Sequence, residues 1–392
     1  MKLSARTQLP RETSALASAL ARLRSERDIV DLAEGNPTRV GLTSICGASA
    51  HLACARADHY APEPLGLPEA RAAVAQYYRE RGVWVDPGRV VLGASTSELY
   101  GWIFKLVADP GDDVLVPRPS YPLLDWLAIL EGVDLSAVST SGSEGFRLDP
   151  EDVERAIGPR TRAIVVVHPN NPTGRFVRTG DARALCEIAK RRGVALVVDE
   201  VFGDWAHPEA DPRRLPTFAG ERDAPCFVLS GLSKVACLPQ LKLGWLVVGG
   251  TDAFAEEVIG RLELVADSYL SVSTPVQVAL PRILAQRHSI QRELMGRLAT
   301  NLAALDRAIE RAGPEVPVRR KRVEGGWYAM LEVARTRTDE EWVVHIASEA
   351  RVIVQPGFFF DTEEGLLVVS LLPEPERFAA AIGRVVTLLA LA

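Results

Sequence analysis

Short apolar stretches alternate with segments of helical periodicity through the middle of the chain. Runs rich in β-branched residues and leucine predict strands at residues 89–92, 113–116, 163–167, 195–198, 226–229 and 244–248. Segments between them have apolar residues three and four positions apart and predict helices, for example at 97–107, 123–131 and 181–191. This alternation is typical of βαβ units, so we expect an α/β fold whose large domain has a mostly parallel sheet flanked by helices.

The pattern changes from about residue 274, which indicates a second and smaller α+β domain. One long helical segment runs to residue 311, with a kink or restart expected at Pro281. An apolar run at 326–333, a helix near 339–350, strands at 352–355 and 366–371 and a closing helix from Glu374 follow. A helix near 12–25 and a turn at 35–37 precede the large domain and are expected to pack with this C-terminal lobe.

The length supports two domains, because single hydrophobic cores stop growing at roughly 250–300 residues and this chain has 392. We expect a large domain at 46–280 and a small domain formed by 1–45 together with 281–392.

Composition argues against several classes of protein. A formal net charge of −6 gives no attraction to nucleic acid or to an anionic membrane, and the basic run at 319–322 is expected to be solvated. The 5 cysteines are odd in number and lack a CxxC pair, which indicates a reducing compartment and no metal site. Residues 1–14 do not resemble a secretory signal, and no window approaches the ~18 apolar residues of a membrane span, so a cytoplasmic protein is expected.

Lys234 is the first candidate for chemistry. It follows the predicted strand 226–229 in the segment Ser-Gly-Leu-Ser-Lys, where small residues let the backbone approach a bound group. Strand ends in open α/β sheets are where ligands bind, and a lysine there can form an imine with a carbonyl cofactor if its pKa is lowered. A surface lysine is the alternative.

Asp199 is the second candidate, because it follows the strongly apolar strand at 195–198. An acid at that sheet edge can face a protonated pyridine nitrogen, which the imine chemistry of pyridoxal 5′-phosphate needs as an electron sink. A helix cap or a turn is the alternative for this aspartate.

Two further segments offer polar groups for a phosphorylated ligand. Residues 93–98 place Ser95, Thr96 and Ser97 between a strand and a helix, where backbone N–H groups bind anions, although Ser95 and Glu98 also fit a capping box. Lys242 could add a cation, and the turn at 170–174 carries Asn171, whose amide could reach a phenolic oxygen.

The order of these blocks resembles the class I/II aminotransferases of PLP fold type I. The matching blocks are GNP at 35–37, YAPEPLG at 60–66, GASTSE at 93–98, PRPSYP at 117–122, NNPTG at 170–174, DEVF at 199–202, SGLSK at 230–234 and VQPG at 354–357. Their order and spacing match from about residue 30 to the C-terminus, which is far more specific than any one block.

The resemblance implies a role for each matching residue. Lys234 would form the Schiff base with the cofactor and shuttle a proton, Asp199 would pair with the pyridine nitrogen, and Tyr121 would stack on the ring. Asn171 would contact the phenolic oxygen. The phosphate would be held by Thr96, Ser97, Ser230 or Ser233, and Lys242, with Ser95 beside them and Tyr60 reaching across a homodimer interface. Gly35 and its neighbour Asn36 would face the substrate carboxylate.

Three departures from the family pattern stand out. Lys242 replaces an arginine, which keeps the charge but loses the two-pronged geometry. Phe202 replaces a tyrosine whose hydroxyl would contact the phenolic oxygen. Val368 replaces the arginine that clamps the substrate's α-carboxylate, so either Arg39 or, as second choice, Arg322 substitutes, or the substrate has no carboxylate at this place.

The resemblance implies a ping-pong aminotransferase acting on an L-amino acid and a 2-oxo acid. The alternative is a non-transaminating PLP enzyme of a biosynthetic pathway, such as a lyase, a decarboxylase or an oxidative deaminase, because loss of the carboxylate arginine could reorient the substrate. A binding or regulatory module of the same fold is a third reading. A nucleotide-dependent dehydrogenase is disfavoured, because no GxGxxG follows the first strand.

Overall fold

The computed structural model describes residues 1, 3–7, 15–24, 28–42, 48–140 and 145–391. Its strands are β1 Val30–Asp31, β2 Val90–Gly93, β3 Asp113–Arg118, β4 Asp134–Ser139, β5 Thr161–Val167, β6 Ala195–Asp199, β7 Cys226–Gly231, β8 Gly244–Val248, β9 Val318–Arg320, β10 Tyr328–Val333, β11 Val352–Ile353, β12 Gln355–Pro356 and β13 Leu366–Ser370. Its α-helices are α1 Ala15–Arg24, α2 Pro68–Glu80, α3 Thr96–Val107, α4 Leu123–Glu131, α5 Pro150–Ala156, α6 Thr179–Arg192, α7 Leu232–Val235, α8 Asp252–Tyr269, α9 Thr274–Ala312, α10 Asp339–His345 and α11 Pro375–Ala390. A π-helical turn, Ile346–Ala350, continues α10.

The central sheet has 7 strands in the order β2-β8-β7-β6-β5-β3-β4. The pairs from β4 to β7 are parallel, and β8 is antiparallel to both of its neighbours. The expected α/β fold with a mostly parallel sheet is therefore confirmed, and all the strands expected in this region are present. Edge strand β4 was not predicted, because most of its side chains are exposed and it lacks an apolar run.

Both faces of this sheet are buried, which explains the nearly continuous apolar strands. In β6, Leu196 and Val198 pack into one core, whereas Ala195 and Val197 pack into the core on the opposite face. This is the alternation that a strand imposes on its side chains. Since apolar side chains fill both faces of the sheet, polar groups are expected at the strand ends.

The C-terminal region forms a separate antiparallel sheet in the order β12-β13-β10-β9. Helices α11 and α9 pack against each other, and both contact strand β9 of this sheet. Helix α9 continues through Pro281 as one element, so the expected restart is absent. Its buried face, which includes Leu280, Ile283 and Leu284, holds the helix together across the lost hydrogen bond.

The N-terminal segment contacts this C-terminal region through β1, which pairs in parallel with β11. Helix α1 lies within the segment predicted as helical, and the predicted ends at residues 12 and 25 fall outside the described residues. No helix in the described ranges combines the length and the apolar character needed to cross a membrane.

Candidate active site

The site lies where the parallel strands of the central sheet end. Asp199 is the last residue of β6 and pairs with Val167 of β5 and Leu229 of β7. Strand β7 continues through Ser230 to Gly231, and α7 with Lys234 begins at the next residue. The predicted lysine and aspartate therefore emerge from neighbouring strands at the same edge of the sheet.

Asp199 is a buried carboxylate, only 6% exposed. Its Oδ1 accepts a hydrogen bond from the backbone N–H of Val201 at 3.0 Å, and its Oδ2 accepts one from the Tyr100 hydroxyl at 3.4 Å. Desolvation raises the pKa of Asp199 to about 6, although Val201, Tyr100 and the charge of Lys234 act in the opposite direction. The carboxyl group therefore remains mostly ionised at neutral pH.

The amine of Lys234 lies among aromatic rings. Its Nζ is 4.5 Å from the centre of the Trp327 ring and 5.2 Å from that of Phe202. Burial lowers the pKa of Lys234 to about 8, against the opposing influence of Cys237 and Asp199. A larger fraction of neutral amine, which is the nucleophilic form, is thus present at neutral pH than in an exposed lysine.

The start of α3 lies directly beside the end of β7 and the first residue of β8. A Cβ atom at Gly244 would lie 3.0 Å from the backbone of Ser95 and Thr96, a tight contact, so this close approach favours glycine. Ser95 caps α3, since the Glu98 backbone N–H donates to its Oγ at 3.2 Å, but the Glu98 side chain accepts from the backbone N–H of Ala94 at 2.6 Å, so the predicted capping box is only half formed. The first turn of α3 presents backbone N–H groups that lack acceptors within the helix, and anions bind at such ends.

Tyr121 connects this helix start with Asp199. Burial and the negative charge of Asp199 raise the pKa of Tyr121, and a hydrogen bond with Ser97 opposes that shift. The structure therefore brings together five of the predicted residues: Lys234, Asp199, Phe202, Tyr121 and Ser97.

Two other predicted residues retain unused hydrogen-bonding capacity. The Oγ of Ser230, which is fully buried, and the buried Oδ1 of Asn171 have no hydrogen-bond partner within the protein. Buried polar atoms without a partner are rare in folded proteins, and a bound ligand is one explanation. Ser233 lies partly buried in α7, beside Lys234.

The remaining predicted cofactor residues lie further out. Lys242 is exposed and follows the short helical turn Pro239–Leu241 in a left-handed conformation, with φ of 51°. Tyr60 is 84% exposed. Neither side chain has a contact with Lys234 or Asp199 in the single chain.

The predicted substrate residues lie around Tyr328, which sequence reasoning did not place in the site. Gly35 approaches the Tyr328 hydroxyl so closely that a Cβ atom would overlap it. Asn36 caps the turn Pro37–Arg39, and its side chain accepts a hydrogen bond from the Thr38 backbone N–H at 3.0 Å. The Tyr328 ring lies 6.5 Å from that of Phe202, which links this loop to the lysine.

Arg39 and Arg322, the two candidate carboxylate binders, both have acidic neighbours. The side chain of Arg39 is 74% exposed, and its Nη1 lies 3.5 Å from Glu34. Arg322 donates to the Glu209 carbonyl at 2.8 Å and lies 3.5 Å from Glu324. Arg39 thus lies on the loop of Gly35, whereas the Arg322 side chain is engaged with residues outside the site.

Val368 is fully buried. It belongs to an apolar cluster with Phe146, Met330, Phe360 and Leu366, against which Tyr121 and Tyr328 pack. The position at which the family pattern has an arginine is therefore part of a hydrocarbon wall.

Comparison with known proteins identifies the family. The model of the family described as aminotransferase class I and II matches residues 27–384. The chain belongs to this family. The alanine aminotransferase of Mycobacterium bovis is 29% identical over 376 residues, which are 93% of this chain and 86% of that protein. The glutamate-pyruvate aminotransferase AlaA of Escherichia coli is 31% identical over 229 residues, which cover 57% of this chain and only 55% of that protein.

Solved structures agree with this assignment. The alanine aminotransferase of Pyrococcus furiosus superimposes with a TM-score of 0.87 and 24% identity, covering 100% of both chains. A single mutant of the aspartate aminotransferase of Thermus thermophilus superimposes with a TM-score of 0.85 and 25% identity, covering 99% of this chain and 100% of that one. The fold is therefore that of the fold type I aminotransferases, and the resemblance inferred from the motifs is confirmed.

The residues of this class I and II aminotransferase fit the family's cofactor, pyridoxal 5′-phosphate. The site offers an amine with a lowered pKa, a buried carboxylate, the open first turn of α3 and the two unpartnered polar atoms of Ser230 and Asn171. The amine, the carboxylate, and the start of α3 with the Ser230 hydroxyl match the aldehyde, ring nitrogen and phosphate of the cofactor in chemical type, whereas Asn171 would match the phenolic oxygen through the Nδ2 group, which donates.

Sequence reasoning missed Tyr100 and Tyr328 as parts of the site. Tyr100 lies three residues after Ser97 in α3, so helical spacing could have placed both on one face of the helix. Tyr328 begins β10 and is separated by Trp327 from two glycines, but nothing in that pattern indicates that Gly35 lies against it in space.

Proposed function

We propose that this chain is an aminotransferase that moves an amino group between an L-amino acid and a 2-oxo acid through Lys234. The observation that carries the proposal is that one sheet edge holds both the partly buried amine of Lys234, whose pKa is lowered to about 8, and the buried carboxylate of Asp199. The family assignment and the two relatives named for alanine or glutamate–pyruvate transamination support it.

Lys234 has two tasks in this proposal. Its neutral amine would hold the cofactor through the cofactor's aldehyde, and the incoming amino acid would release this amine again. The freed amine, which lies near the rings of Phe202 and Trp327, would take the proton from the substrate Cα and give it to the cofactor carbon that carried the aldehyde. Hydrolysis by one water would release the 2-oxo acid and leave the amino group on the cofactor, and a second oxo acid would take up that amino group by the reverse steps, which return the water.

Asp199 has the electrostatic task. When bound, the cofactor supplies a cationic pyridine ring that accepts electrons from the substrate Cα. Asp199 would keep that ring protonated through its negative charge. Its two hydrogen bonds, from Val201 and Tyr100, fix the orientation of the carboxylate.

The other site residues would orient the cofactor. Tyr121 would stack on the ring, Phe202 would lie beside it without donating a hydrogen bond, and Asn171 would contact the phenolic oxygen. The phosphate would be bound by the start of α3 together with neighbouring hydroxyls and one cation: Ser95, Thr96, Ser97, Ser230, Ser233 and Lys242. The exposure of Tyr60 is consistent with a role in the phosphate site of a second copy, so we propose a homodimer.

The amino-acid substrate would lie between Tyr328 and the loop of Gly35 and Asn36. Arg39 would bind the carboxylate after leaving Glu34, since it lies on this loop and its side chain is exposed. Val368 would contribute an apolar wall in place of the usual clamp.

The proposal also includes the domain boundaries and the cellular location of the protein. The domain boundaries would lie at 46–280 and at 1–45 with 281–392, supported by the pairing of β1 with β11. A cytoplasmic location is supported by the free thiols of Cys54, Cys186, Cys226 and Cys237.

A half-reaction tests the proposal. Protein purified with pyridoxal 5′-phosphate is mixed without oxygen with L-alanine or L-glutamate, and the absorbance spectrum and the 2-oxo acid are measured. The visible band of the bound cofactor should convert to the spectrum of pyridoxamine phosphate, with one oxo acid formed per site. Lys234→Ala should abolish the conversion, whereas Lys190→Ala, at an exposed lysine of α6, should not. Carbon dioxide release, or product formation only with oxygen, would contradict transamination.

A further inference from the structure

A single glutamine side chain bridges the two segments that carry the proposed catalytic residues. The Nε2 of Gln291, in α9, donates to the Oδ2 of Asp204 at 2.9 Å and to the backbone carbonyl of Val235, also at 2.9 Å. Asp204 lies in the turn that follows Asp199, and Val235 directly follows Lys234. An amide nitrogen has two hydrogens, so this bridge uses both.

The turn that carries Lys234 needs support from outside. Helix α7 has only 4 residues, too few for helical hydrogen bonding to stabilise it alone. Its first residue is held by the Leu232 backbone N–H, which donates to the Leu243 carbonyl at 3.0 Å. Gln291 holds its last residue, so the two ends of the turn are fixed by different parts of the chain.

Asp204 is itself firmly held, which makes it a fixed point for the bridge. Its Oδ1 accepts a hydrogen bond from the Tyr77 hydroxyl at 3.0 Å, and the Nε of Arg81 lies 3.7 Å away. Arg81 in turn lies 3.4 Å from Glu200, the residue after Asp199. The position of the Lys234 turn is thus tied to the strand end with Asp199 through Gln291 of α9 and through side chains at the C-terminal end of α2.

We propose that Gln291 is a positioning residue that fixes the Lys234 amine relative to Asp199. The inference rests on the proposed role of Lys234 as the cofactor lysine. Proton transfer at the substrate Cα depends on the position of this amine, and a misplacement of about 1 Å can lower a rate by roughly 100-fold. Loss of the bridge would let the turn relax and move the amine away from the carboxylate.

Gln291→Met tests this role, because methionine has a similar length and no hydrogen-bond donor. We expect kcat per bound cofactor to fall about tenfold, with KM for the amino acid nearly unchanged, since the substrate loop is not altered. We also expect the visible absorbance of the bound cofactor to change with pH at a lower midpoint. The negative charge of Asp199 favours the protonated form of the nitrogen of Lys234 that would hold the cofactor. A larger distance between Asp199 and this nitrogen weakens that effect.

Asn301→Leu is the matched control. Asn301 lies in the same helix, and its Nδ2 also bridges two groups, donating to the carbonyls of Leu371 at 2.9 Å and Pro373 at 2.7 Å. It ties α9 to the C-terminal region and not to α7. The variant should lower Tm and leave kcat and the absorbance midpoint unchanged.

The kcat and the absorbance midpoint are both measured per bound cofactor, so a lower yield of folded protein does not affect them. Gln291→Leu provides a second variant that also lacks the hydrogen-bond donor. Wild-type values of kcat and of the absorbance midpoint in both Gln291 variants, whatever their Tm, would overturn the proposal. A wild-type protein without a visible cofactor band would instead show that the assignment of Lys234 had failed. The absorbance comparison remains valid if the cofactor binds but the amino acceptor is unidentified.

Discussion

The protonation of Lys234 in the cofactor-free protein gives the sharpest test of the site. Its pKa is lowered from 10.5 to about 8, mainly by desolvation. At pH 7 about one amine in ten is then neutral, against about one in three thousand for an unshifted lysine, a gain of roughly 300-fold in reactive amine. Asp199 favours the protonated amine, so Asp199→Asn should move the pKa of Lys234 further down.

The pKa can be measured by brief labelling with an amine-reactive sulfonate at a series of pH values. Mass spectrometry then quantifies the modified peptide that contains Lys234, and the peptide with the exposed Lys190 reports the behaviour of a surface amine in the same sample. A midpoint near 8 that decreases in Asp199→Asn is expected. A midpoint near that of Lys190, or an increase in Asp199→Asn, would refute the assignment of desolvation as the dominant cause.

The same shift predicts how stability depends on pH. Folding lowers the lysine pKa, so between about 8 and 10.5 the unfolded chain binds more protons than the folded one, and this residue's contribution to stability rises with pH. Below about 8 the buried ammonium opposes folding by roughly 3 kcal/mol. Lys234→Met should therefore stabilise the cofactor-free protein against urea at pH 7 and have little effect near pH 10.5.

Three further changes probe other parts of the site. Gly244→Ala would push a methyl group against the backbone of Ser95 and Thr96, 3.0 Å away, so the Kd for the cofactor should rise by about tenfold or more in a fluorescence titration. Phe202→Tyr would add the missing hydroxyl next to the cofactor's phenolic oxygen, so the pH midpoint of the bound cofactor's absorbance should fall. Arg39→Ala should raise KM for the amino acid about tenfold or more with little change in kcat, and an unchanged KM would remove Arg39 as the carboxylate binder.

The sequence placed the main reactive groups because their positions follow from local pattern. Asp199 ends a strand that is apolar on both faces, Lys234 lies in the short helix that follows the next such strand, and parallel strands bring their ends to one edge. The groups that hold them come from far along the chain. Tyr100 is 99 residues from Asp199, and Gln291 is 56 residues from Val235, so no local pattern indicates these contacts.

Val368 shows the other limit of reading a motif position by position. The sequence indicated only that an arginine was missing, with a substitute expected elsewhere. In the structure Phe146, Met330, Phe360 and Leu366 surround this position with hydrocarbon. A guanidinium here would be buried without a partner and would destabilise the fold, so the loss of the clamp involves the whole cluster and not one residue.

Burial has opposite consequences for the two charged groups of the site, and together they explain its reactivity. Desolvation disfavours both charges, so it raises the pKa of Asp199 from 3.8 to about 6 and lowers that of Lys234 from 10.5 to about 8. The two pKa values therefore lie much closer together than the ordinary values of an aspartate and a lysine. The cofactor-free site can thus supply a neutral amine easily, and a cation placed beside Asp199 would lower the carboxyl pKa again. The carboxyl group of Asp199 would then be ionised next to a protonated ring nitrogen, and the amine of Lys234 could accept and donate protons.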